Sequence, residues 1–115
     1  MTQTTPIAKL QSTAPARVPL ERDEPTTLVE MLERTVELHN KPDLLNYKRD
    51  GAWRSISSDE MLARARFIAL SLYSLGIRHG DRVALFSENC PEWTLADAGC
   101  LFAGVIDVPI YPTLT

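Results

Sequence analysis

The residues that could do chemistry in this 115-residue chain are few and scattered. Its only cysteines, Cys90 and Cys100, are separated by nine residues. That gap fits neither the tight pairing of a zinc site nor the dense framework of a small secreted domain. The intervening segment reads as helix, which would hold the two Cα atoms beyond the ~7 Å limit for a bridge, so both are read as reduced, packed thiols. Glu88 and Glu92 stand four apart and could form an acid/base pair, but two acids at a helix start are explained more simply by complementarity to the helix dipole. His39 and His79 are each isolated in turn-like surroundings and read as surface histidines. No serine sits in a Gly-x-Ser-x-Gly elbow, and neither cysteine has a histidine in a recognisable arrangement. Trp53, Trp93 and Tyr73 are too dispersed to form a stacking platform for nucleic acid; they read as core or interface aromatics.

The elements that would position such residues are legible from periodicity. Thr27 and Glu30 have capping-box spacing, and Leu28, Met31, Leu32, Thr35, Val36 and Leu38 follow at helical period up to Pro42. Leu45 and Tyr47 alternate with polar residues before Asp50-Gly51, and Trp53 and Ile56 follow, which predicts a β-hairpin with a tight turn. A second capping box, Ser57 and Glu60, opens a longer helix that Gly76 stops. Its stripe is Met61, Ala65, Ile68, Leu72 and Leu75, with Phe67 and Leu70 on the opposite side, so it reads as a helix between two layers.

Gly80 and Asp81 turn into Val83–Phe86, an apolar run of the kind covered on both faces of a parallel sheet. Asn89 or Cys90 can cap the next helix, which carries Pro91 and Glu92 in its first turn and ends at Gly104. Val105–Ile110 completes a strand–helix–strand unit whose strands should pair in parallel through a right-handed crossover. The fold class is α/β. Two strands and one crossover leave a parallel sheet without neighbours, and the reading expects an incomplete sheet.

A parallel α/β unit invites a test for phosphate binding, because a glycine-rich turn lets backbone amides and a helix N-terminus approach an anion. The turn here, Ser87-Glu88-Asn89-Cys90-Pro91-Glu92, has no glycine, loses an amide at Pro91 and adds two carboxylates. A Rossmann-type dinucleotide site and a Walker-type loop are both excluded.

Composition narrows the class further. A formal charge of −3 and 44% hydrophobic residues point to an ordinary globular domain without a nucleic-acid partner. No run of about 18 apolar residues exists, so no transmembrane segment is expected, while peripheral attachment to a membrane stays open. The start has no signal-peptide pattern, which points to a cytoplasmic protein. Lys9 and Arg17, with no acid before Glu21, give it a little of a transit peptide's composition. Pro6, Pro15 and Pro19 interrupt any helix there, and residues 1–25 read as a disordered polar leader.

Taken together, the run GDRVALFSENCPEWTLADAGCLFAGVIDVPIYPTLT, Gly80 to Thr115, closely resembles the early segment of adenylate-forming, AMP-dependent acyl-CoA synthetases. Gly80-Asp81 before the apolar strand, Asn89 with Glu92 and Trp93 opening the helix, and Gly104 through Asp107, Val108, Pro109 and Tyr111 look like the long-chain fatty acid branch. The layout from Thr27 to Leu75 matches more loosely, and Val105, where relatives often have alanine, is a mild departure. The resemblance implies that 26–115 is the truncated N-terminal portion of an AMP-binding (adenylation) domain. The parent would be a long-chain fatty acid–CoA ligase that joins a fatty acid to the α-phosphate of ATP and then to coenzyme A.

ATP, Mg2+ and CoA are thereby implied for the full-length parent, and no cofactor for the fragment itself. The family's working residues lie further along: a Ser/Thr/Gly-rich phosphate loop with a lysine, a Tyr-Gly-x-Thr-Glu segment, a ribose-binding aspartate and a lysine on a mobile C-terminal domain. None has a counterpart here. The expectation is therefore no catalytic, cofactor-binding or metal-binding residue, with Gly80, Asp81, Asn89 and Gly104 carried over as turn and packing positions. The fragment alone is expected to be inactive. Another acid-activating adenylation enzyme, or a non-catalytic α/β interaction module, is the competing reading. Chain-length preference and oligomeric state are not legible.

Overall fold

A computed structural model describes residues 24–111 and Thr113. The leader read over 1–25 lies, up to residue 23, outside the described residues. The element order is α1 (Leu28–Leu38), β1 (Leu45–Arg49), β2 (Ala52–Ile56), α2 (Ser58–Ser74), β3 (Arg82–Phe86), α3 (Pro91–Ala103) and β4 (Ile106–Ile110).

The capping signals explain where the first two helices begin. Thr27 Oγ1 accepts from Glu30 N–H at 3.1 Å while the Glu30 carboxylate accepts from Thr27 N–H at 3.2 Å, a complete capping box. At α2 only half of the expected box forms. Ser57 Oγ accepts from Glu60 N–H at 3.1 Å, but the Glu60 carboxylate turns to Arg64, one helical turn on. Ser58, almost fully buried, is satisfied reciprocally by Lys41: its N–H donates to Lys41 O at 2.9 Å and its Oγ accepts from Lys41 N–H at 3.0 Å. This pair ties the loop after α1 to the start of α2, and Asn40 Nδ2, donating to Asp59 at 2.7 Å, reinforces it.

Asp50 and Gly51 both take positive φ, 53° and 77°, and the register Arg49↔Ala52 leaves just these two in the turn. Two left-handed residues give the turn a twist that matches the strands it joins, which is why Asp-Gly was the signal. Both α2 and α3 end in a Schellman arrangement. At α2, Ile77 N–H donates to Leu72 O and Gly76 N–H to Tyr73 O; at α3, Val105 N–H donates to Cys100 O and Gly104 N–H to Leu101 O.

Strands β3 and β4 pair in parallel, with Ala84↔Val108 and Phe86↔Ile110 in register, and form a sheet separate from the β1–β2 hairpin. Helix α3 lies between this sheet and α2. Val36, Ile56, Met61, Leu62 and Leu95 make the buried core where α1, the hairpin, α2 and α3 meet. Ala65, Ala98, Cys100 and Val105 extend it toward the sheet.

Three burial patterns read from the sequence are only partly filled by the described residues. Strand β3 is not covered on both faces by the described residues: Val83 and Leu85 are half-buried while Ala84 and Phe86 are exposed, and Ile106, Val108 and Ile110 continue the bare face on β4. Among the described residues one layer packs against helix α2. Its second apolar face, with Phe67 and Leu70, stands open. Trp53 and Tyr73 are also exposed, and of the three singled-out aromatics only Trp93 is partly covered.

Candidate functional site at the carboxyl ends of the parallel strands

In open parallel sheets ligands bind beyond the carboxyl ends of the strands. Here β3 ends at Phe86 and β4 at Ile110, and the turn Ser87–Cys90 leads into α3. Between them lies a cleft of about 430 Å3 bordered by Ser87, Glu88, Asn89, Trp93, Ile110 and Tyr111. Cys90 occupies the N-cap position of α3 but makes no side-chain cap hydrogen bond; its sulfur rests 3.6 Å from Ser87 Oγ. Pro91 takes the first helical position, where its missing N–H costs nothing.

On the other side of the same turn the hairpin reaches in. Arg49 Nη2 donates to Glu92 Oε1 at 2.7 Å, and the Arg49 guanidinium lies 5.3 Å from the Tyr47 ring centroid. The Arg49 hydrogen bond, helped by the backbone amide at the helix start, holds the Glu92 carboxyl below its ordinary range. Glu92 is thus neither half of an acid/base pair nor only a dipole partner: it ties the hairpin to α3. No local signal could have paired it with Arg49, which is 43 residues away.

Beneath α3 a second feature went unread in the sequence. Asp97 on α3 meets Asp107 on β4, and burial, then the neighbouring Asp107 charge and hydrogen bond, raise the Asp97 carboxyl above its usual value. Cys100, one turn along, is pushed up by burial first and then by both acids. An acid set in the inward register of a Val-Ile-Asp-Val strand was the available clue, but which side of the strand faced the helix was unknown.

The histidines stay apart. His39 is the exposed C-cap of α1, and the exposed His79 lies against Gly104. Cys90 and Cys100 are free thiols, the first half-buried and the second buried. Among the described residues no group of three His, Cys, Asp or Glu side chains could hold a metal.

The cleft does not suit a nucleotide phosphate. It presents the Glu88 carboxylate, Pro91 removes an amide from its helix start, and among the described residues no cationic side chain lines it. What the turn does is fix the geometry of the strand end. Gly80 N–H donates to Gly104 O and Ile106 N–H to Asp81 O, both at 2.8 Å, so the turn before β3 is stitched to the turn before β4. Gly80, Asp81 and Gly104 therefore serve as turn and packing positions.

This strand–helix–strand arrangement and the turns that set it agree with a family model described as AMP-binding enzyme, which matches residues 32–115. The chain belongs to the AMP-binding enzyme family. Within it, the chain is 42% identical over 74 residues to the long-chain-fatty-acid–CoA ligase FadD15 of Mycobacterium bovis, a match covering 63% of this chain and 12% of that protein. It is 30% identical over 95 residues to the long-chain-fatty-acid–CoA ligase ACSBG1 of Bos taurus, covering 83% of this chain and 13% of the relative. A crystal structure of a fatty acyl-adenylate ligase from L. pneumophila, in complex with acyl adenylate and pyrophosphate, superimposes with a TM-score of 0.66 at 28% identity. That match covers 75% of this chain and 15% of the other. The chain thus spans about an eighth of the length of the curated relatives it matches. As an AMP-binding enzyme segment, it has the mixed helix and strand architecture of the N-terminal domain of adenylate-forming enzymes.

Proposed function

We propose that this chain supplies the opening layers of the large domain of an AMP-forming long-chain fatty acid–CoA ligase, with residues 26–115 as the first portion of its adenylation domain. The observation that carries this reading is the identity to two fatty-acid–CoA ligases, 42% over 74 residues and 30% over 95 residues of the chain. The ligase would join a fatty acid to AMP with release of pyrophosphate and pass the acyl group to coenzyme A, using ATP and Mg2+. None of the residues described here would touch the reacting atoms. Their contribution is mechanical: the stitched turns and the Arg49–Glu92 tie hold β3, α3 and β4 in fixed relation, a rigid edge against which a substrate-binding sheet can extend. Among the described residues no helix is long and apolar enough to cross a membrane.

A chimera tests the proposal. Residues 32–115 replace the matching stretch of the M. bovis ligase, and carboxylate-dependent pyrophosphate release and acyl-CoA formation are measured. Retained turnover on long-chain acids supports the assignment; a folded, soluble chimera that activates only short or aromatic acids favours a different acid-activating enzyme. The 115-residue chain alone should show no turnover. A non-catalytic interaction module would give a folded chimera without activity on any acid.

A further inference from the structure

We draw no further inference here: the strongest candidate, the Asp97–Asp107 carboxyl cluster with Cys100 between α3 and β4, carries nothing because it belongs to the site already described and, among the described residues, nothing beside it points to a ligand.

Discussion

Gly99 of α3 lies directly against Ile68 of α2, so close that a Cβ at residue 99 would fall 2.7 Å from the Ile68 Cβ and closer still to its Cγ2. The two helices meet through this contact because a hydrogen leaves room where a methyl does not. Alanine at residue 99 would favour the isolated helix, but the overlap is with the rigid base of a β-branched side chain, and the helices must separate. Gly99→Ala is expected to destabilise the chain by about 1 to 3 kcal/mol. Ile68→Ala should recover part of that loss in a double-mutant cycle followed by urea unfolding. Additive losses would show that the contact does not set the helix spacing.

Gly104 combines two demands, a φ of +65° and a neighbouring His79 ring whose Nε2 would sit 3.1 Å from an added Cβ. Gly80, at φ +84°, has open space around it. Gly104→Ala should therefore cost more than the ~1 kcal/mol of backbone strain expected for Gly80→Ala. His79→Ala should narrow the difference. Thermal midpoints of the three variants and the double variant provide the comparison.

The Asp97–Asp107 pair makes stability depend on pH in the less usual direction for carboxyl groups. Because Asp97 is raised in the folded chain above its ordinary 3.8, folding favours its protonated form. Stability is thus undiminished below about pH 4 and declines as pH rises from there through the folded value. Asp107→Asn removes the repulsion and should flatten that decline, with the larger gain at neutral pH. A denaturation series from pH 3 to pH 8 checks the sign; a profile unchanged by the substitution would contradict it.

Glu92 titrates in the opposite sense. Its folded value lies below 4.5, so its contribution is present above that pH and fades as pH falls through the folded value. Both partners are more than half exposed, 52% and 57%, so the effect on stability is small and screened by salt. The sharper measurement is NMR titration of the Glu92 carboxyl, which Arg49→Met should return toward its ordinary range.

Thiol labelling separates the two cysteines. Cys100 is 1% exposed and burial raises its thiol, whereas Cys90 is only half-buried at the mouth of the α3 turn. An aromatic disulfide reagent should modify Cys90 in the folded chain and reach Cys100 only on unfolding. Equal rates at both would place Cys100 outside the core.

Local chemistry determined much of this protein before any folding was considered. Thr27, Ser57, Asp50-Gly51, Gly76 and Gly104 act within a few residues of themselves, through caps and left-handed turns, so the helices, the hairpin and their ends were readable from neighbours alone. The Gly80–Thr115 run likewise carried the family. Tertiary structure alone decided which apolar residues are covered. Periodicity marks the faces of α2 and β3, but whether Phe67, Leu70, Ala84 and Phe86 are buried depends on segments far away in sequence. It also decided the partners of Glu92 and Asp97. Arg49 and Asp107 reach them through the register of a hairpin and a parallel strand, and a one-residue slip in either strand would turn those side chains to the opposite face.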